Sequence, residues 1–184
     1  KNYRFDLGLG KVLRDENHYG FTDSSGLKDR KSENYITGII TLPQNSYVSF
    51  QGLMDGKLRS KKSTLTGSLD FRTFNFDAEY SYLQSDLTEY RTEPVEEWTI
   101  SNNIKLSKNW SFASNLRFDE TENHLALLGA GINYENQCVL LNLEMDRRYS
   151  QEGTSPPTTN FSFAISLKGF STGKMTAVSE KRCK

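Results

Sequence analysis

Apolar and polar residues alternate with a period of two through ten segments of roughly ten residues each, and no segment carries a convincing helical period. The segments fall near 3–13, 34–42, 47–55, 63–73, 74–84, 97–107, 110–119, 124–134, 137–149 and 160–170. Period two places successive side chains on opposite sides of an extended strand, so a segment that alternates cleanly has one apolar and one polar face. In 74–84, Phe74, Phe76, Ala78, Tyr80 and Tyr82 oppose Asp77, Glu79 and Ser81. In 160–170, Phe161, Phe163, Ile165 and Leu167 oppose Ser162, Ser166 and Lys168. Segments 34–42 and 124–134 carry apolar residues on both faces.

The pattern predicts an all-β chain, and two architectures compete for it: a soluble sandwich and an antiparallel transmembrane β-barrel. Three features favour the barrel. Strands of about ten residues suit a tilted crossing of a bilayer, whereas soluble strands average nearer five or six. Connections alternate in length, with short turns at Pro43–Ser46, Thr73–Asn75, Ser107–Asn109 and Glu135–Asn136 and longer loops at 14–33, 56–62, 85–96, 120–123 and 150–159. Short periplasmic turns and longer external loops are the outer-membrane arrangement. Aromatic residues also gather at strand ends. Tyr35, Tyr82, Trp98, Phe118, Tyr149 and Phe161 fall at the long-loop end, and Tyr3, Phe5, Tyr47, Phe71, Phe74, Trp110, Tyr134 and Phe170 at the other, as two interfacial girdles would. An even strand number puts both ends of the chain in the periplasm. Residues 1–170 are read as barrel strands and the aperiodic, Ser/Thr/Lys-rich 171–184 as a periplasmic tail.

Composition is compatible with this reading. No run approaches the roughly 18 apolar residues of a membrane helix, and a barrel keeps a low mean hydropathy because only alternate residues meet lipid. Lys+Arg (23) and Asp+Glu (23) balance, which argues against nucleic acid as a partner. No charged and then apolar leader opens the chain, so it reads as a fragment or processed piece of an exported protein. Signals for an enzyme are poor, and neither a metal nor a cofactor is expected. His18 and His124 belong to no metal spacing; Asp119, Glu120 and Glu122 near His124 echo a protease cluster but read more simply as solvated loop charges. Gly8, Gly10, Gly129 and Gly131 lie within strands, where glycine eases twist or close approach. Two cysteines, Cys138 and Cys183, are too few for a disulfide scaffold. The inward face is expected to carry Arg72, Lys105, Arg117, Glu144, Arg148 and Lys168, alongside Asp70, Glu79 and Asp146, paired across strands as barrel interiors usually are.

The last two strands run Gly131-Ile-Asn-Tyr-Glu-Asn-Gln-Cys138-Val-Leu-Leu-Asn-Leu-Glu-Met-Asp-Arg147-Arg148-Tyr149 and Asn160-Phe-Ser-Phe-Ala-Ile-Ser-Leu-Lys-Gly169-Phe170. This resembles the C-terminal end of the lipopolysaccharide-assembly family LptD: a cysteine opening the penultimate strand, an Arg-rich finish, and a last strand of alternating aromatic and aliphatic residues closing on Gly and an aromatic. The likeness is specific over about 131–170; the first strand, Arg4–Leu13, and Ser24-Ser25-Gly26-Leu27 support it more weakly.

The resemblance implies that the ten strands are the C-terminal part of a larger barrel in the Gram-negative outer membrane. It implies a lipoprotein plug, LptE, in the lumen, and a periplasmic bridge, LptA, reached through an N-terminal domain. It implies lipopolysaccharide as cargo, leaving sideways through a gate with 160–170 as one lip. Phe161, Phe163, Ile165, Leu167, Gly169 and Phe170 would form that lip and the signal read by the barrel-assembly machinery. Cys138 would bond a cysteine of the periplasmic domain; some relatives carry two adjacent cysteines, and here Val139 follows instead. Cys183 is an alternative partner for Cys138. The competing expectations are a self-contained ten-stranded barrel acting as a protease, adhesin or porin, which needs 3–13 to pair with 160–170, and the soluble sandwich.

Overall fold

The computed structural model describes residues 3–17, 20–150 and 156–168. It is all-β: β1 (Arg4–Gly10), β2 (Asn34–Thr41), β3 (Tyr47–Met54), β4 (Ser60–Phe71), β5 (Phe74–Leu83), β6 (Val95–Lys105), β7 (Trp110–Asp119), β8 (His124–Glu135), β9 (Val139–Arg148) and β10 (Thr158–Leu167). The strands form one antiparallel sheet in sequence order, with β1 and β10 as its edges. Each connection is therefore a hairpin, which needs no crossover. Among the described residues, helix is limited to three-residue 3-10 turns, and no helix is long and apolar enough to cross a membrane.

The registers carry one apolar face across the whole sheet. Leu7 pairs with Gly38, Gly38 with Phe50, Phe50 with Leu65, Leu65 with Tyr80, Tyr80 with Trp98 and Trp98 with Phe118. Directly opposed residues share a face, so these lie on one side. Leu128, Ile132, Leu143, Met145, Phe161 and Phe163 continue it through β8–β10. A bulge between Arg117 and Phe118 leaves Ala126 as the extra residue of β8 and keeps the alternation in phase.

Nothing in the described chain covers that face. Among the described residues no hydrophobic residue is buried; large side chains stand half-exposed on the inner strands, as Trp98 at 36 %, and open on the edge strands, as Phe161 at 78 %. A sandwich of this length would bury the inner faces of both sheets. The second layer that the soluble reading requires is absent among the described residues.

The registers settle the two ambiguous segments. In β2, Ile36 and Ile40 join the apolar face, and Ile39 lies opposite Asp6 and Ser49 on the polar one. In β8, Leu127, Gly129 and Gly131 take the polar face. Two girdle assignments change: Tyr35 and Tyr47 project to the polar side, Tyr35 opposite Leu53 and Tyr47 opposite Ser68. Their position at strand ends is as expected; their parity within the strand is not. The first strand is also shorter than 3–13, because residues beyond Gly10 turn into the loop, where Leu13 bridges Lys31. Residues 171–184 lie outside the described residues.

Candidate functional site: a two-faced sheet with a free edge

The apolar face is ordered by its aromatic residues. Tyr80 and Trp98 meet at 5.0 Å between ring centroids near the long-loop end, and Trp110 and Tyr134 at 4.8 Å near the short-turn end. Phe71, Phe74 and Phe76 stack on one another at the short-turn end of β4 and β5. A polar spot interrupts the middle of the face: Asn102 lies between Phe76 and Ser114, and its amide nitrogen donates to Ser114 Oγ at 2.7 Å. Asn102 Oδ1 has no partner among the described residues.

The polar face carries the charges. Arg117 pairs with Glu97 at 3.4 Å, and Glu144 accepts from Ser162 at 3.4 Å. Lys105 and Arg148 also lie on this side, opposite Ser111 and Leu127. Arg72 does not: it sits in the two-residue turn between β4 and β5, one step beyond the strand. Lys168 follows the end of β10 and pairs with Glu135 of β8, reaching across β9 at the short-turn end. At Gly129 the absent side chain leaves room for Asn115 Oδ1 and Asp146 Oδ1, both of which lie where a Cβ would stand.

The last strand places Phe161, Phe163, Ile165 and Leu167 in one row against Met145, Leu143, Leu141 and Val139. Lys168 N–H donates to Cys138 O at 2.8 Å, so residue 168 directs its amide toward β9. By the antiparallel alternation, the amides of Phe161, Phe163, Ile165 and Leu167 point the other way, out from the sheet edge. Gly169 and Phe170 lie outside the described residues, as does Cys183. Cys138 closes the β8–β9 turn, where its N–H donates to Asn136 Oδ1 at 2.8 Å.

At the opposite end the long connections fold onto one another. Asp86, only 4 % exposed, accepts from the Ser24 N–H at 2.6 Å and from the Thr88 N–H at 2.9 Å and hydroxyl at 2.5 Å. Ser24 Oγ donates to Glu89 at 2.9 Å, and Arg91 holds the other Glu89 oxygen at 2.8 Å. Lys61 pairs with Glu33 at 2.7 Å. The β1–β2 loop thus crosses the ends of β3 and β4 to reach the β5–β6 loop. The Thr88 hydroxyl, then the Ser24 and Thr88 amides, hold the Asp86 carboxyl well below the usual carboxylate range, against the opposing effect of burial. Glu89 is lowered too, first by Thr22 and then by Arg91 and Ser24.

Sequence reading did not single out this loop contact, because Ser24 and Asp86 are 62 residues apart and neither is unusual in a loop. The loop carboxylates beside His124 have a local role: Asp119 accepts the Glu122 N–H at 3.0 Å and caps the tight turn. Among the described residues no group of His, Cys, Asp or Glu is arranged to hold a metal ion. No family model matches this chain, and no curated protein is significantly similar to it.

Proposed function

We propose that the chain is a membrane-spanning portion of an outer-membrane β-barrel, and specifically the C-terminal part of an LptD-type translocon that places lipopolysaccharide in the outer leaflet. The observation that carries the membrane reading is the uncovered apolar face, continuous over ten strands and backed by a polar one. Exposed apolar patches beyond a few hundred Å² mark interaction or membrane surfaces. A ten-residue strand is about 33 Å long, and at a tilt of about 40° it crosses an apolar band of about 25 Å.

Two observations favour part of a larger barrel. β1 and β10 share no ladder, which a closed ten-stranded barrel requires. The outward amides of β10 also need partners in a medium without water. Strands from elsewhere in the protein supply them in this reading, and β10 then forms one lip of a separable seam. The polar face lines a lumen that takes the sugars of lipopolysaccharide and the LptE plug, while acyl chains leave past the seam. The periplasmic LptA bridge delivers cargo through a domain outside this chain, and the barrel-assembly machinery inserts the protein by way of the last strand. Cys138, at the periplasmic end, is the site for a disulfide to that domain or to Cys183.

Depletion of the protein in its own Gram-negative host tests the reading. Expected are loss of newly made lipopolysaccharide from the cell surface, recovery of the protein in outer-membrane fractions, and co-purification of a lipoprotein. Normal surface lipopolysaccharide after depletion removes the translocon assignment. Recovery of the protein in detergent-free soluble fractions removes the membrane one.

A further inference from the structure

We propose that the long-loop end of β8–β10 holds a phosphate-bearing acyl lipid, with Arg147 gripping the phosphate and the adjacent groove taking an acyl chain. The site rests on the membrane reading above and names where a lipid passing the β10 edge is received.

Arg147 lies on the wrong face for an ordinary strand charge. Its register partners are Leu128 on β8 and Thr159 on β10, so it projects with Met145 and Leu143 on the apolar side. Asp146 and Glu144 project to the opposite face, and among the described residues no carboxylate pairs with Arg147. Its contact is with the Tyr149 ring, 5.3 Å from the guanidinium carbon. A stacked guanidinium keeps its in-plane N–H donors free, and their fork matches phosphate oxygens.

A groove of about 350 Å³ opens on the same face, lined by Phe112, Ala130, Leu143, Met145, Phe161 and Phe163 among others. Ala130 is its floor: a small residue opposite Ser114 and Met145, with Phe112, Ile132, Leu143 and Phe161 around it. Met145 is two residues from Arg147, about 7 Å along the strand. Cation and groove therefore follow one another from the long-loop end toward the middle of the sheet, in the order of a lipid's phosphate and chain. The simpler account is an interfacial arginine reaching any headgroup. That account predicts no role for the groove and no preference among anionic lipids.

The test uses the whole protein that carries this chain, folded in dodecyl maltoside, with bound lipid counted by native mass spectrometry. The probes are hexa-acylated, bis-phosphorylated lipid A and the same lipid stripped of phosphate. Arg147→Ala is expected to weaken the phosphorylated lipid about tenfold and leave the stripped lipid unchanged, as loss of a charge-assisted contact should. Ala130→Leu, with Arg147 intact, is expected to weaken both lipids by filling the groove. Unchanged binding of the phosphorylated lipid to folded Arg147→Ala overturns the phosphate site, and unchanged binding to Ala130→Leu overturns the groove. Displacement of the lipid by millimolar inorganic phosphate marks a plain anion site and also overturns the proposal. A parent protein that folds without detergent refutes the membrane reading and this site together, whereas a membrane-inserted protein with indifferent variants refutes the site alone.

Discussion

At the scale of single residues, the docked loops concentrate the polar interactions that most resist change. Asp86 is buried and ionised, and it is held by donors from two loops. Asp86→Ala is expected to leave the sheet folded and release the β1–β2 loop, measured as faster protease cleavage within 11–33. Acid should act the same way. A carboxyl lowered on folding stabilises the folded loop above the ordinary value near 3.9, and that contribution fades as pH falls below it. Asp55, lowered to about 2 chiefly by the Arg59 N–H in its own turn, fades over the same window. Spin labels on Lys28 and Thr92 should report a widening distance below about pH 4 and none between pH 6 and 8. An Asp86→Asn variant with the parent's distance at pH 7 would dismiss the carboxylate as the latch. Gly129 makes a second case: a Cβ there overlaps Asn115 Oδ1 and Cγ and Asp146 Oδ1, so Gly129→Ala must turn both side chains aside and is expected to cost about 1–3 kcal/mol in urea titrations.

At the scale of elements, strand identity was legible because each strand meets two different environments and therefore alternates. Strand β7 coincides with its predicted 110–119, and β5 differs by one residue at its end. What alternation could not give is parity where both faces are apolar, as in β2, or at strand ends, as for Tyr35 and Tyr47. Parity there is fixed by the partner strand, which is not a local property. Arg147 was visible as a charge at the end of β9, yet counting by two from Met145 would have placed it on the apolar face. The contact between Asp86 and Ser24 lay beyond any local pattern. The two faces make a direct prediction at mid-strand in β6. Ile100→Arg puts a charge on the apolar face between Ala78 and Leu116, and in a bilayer it should cost about 2–4 kcal/mol. Ser101→Arg, opposite Asp77 and Asn115, should cost less than about 1 kcal/mol. Urea titrations in lipid vesicles give both values, and equal costs would mean that the faces are not differently solvated.

At the scale of the whole molecule, the sheet presents a free-energy problem that its own residues do not solve. Among the described residues nothing covers the apolar face, and leaving a Leu or Phe wholly exposed forgoes roughly 1.5–3 kcal/mol of burial. In the proposed membrane setting lipid would supply that burial, but it would also remove the water that satisfies the edge amides of Phe161, Phe163, Ile165 and Leu167. In that setting both demands are met together only when a further strand adds to β10, so seam pairing becomes a condition of insertion. The alternating amides of β10 report this directly. In the assembled protein, those of Ser162, Ala164 and Ser166 exchange slowly through the β9 ladder whatever the edge does. Those of Phe161, Phe163, Ile165 and Leu167 should exchange about two- to tenfold faster if the edge is bare, since a typical hydrogen bond contributes about 0.5–1.5 kcal/mol. Full and equal protection of both sets would mean a seam as firm as any other ladder, able to close a barrel but unfit to open as a gate. Protection of the outward set that is measurable yet weaker than that of the inward set is the outcome expected of a strand that must pair to enter the membrane and separate to let lipid through.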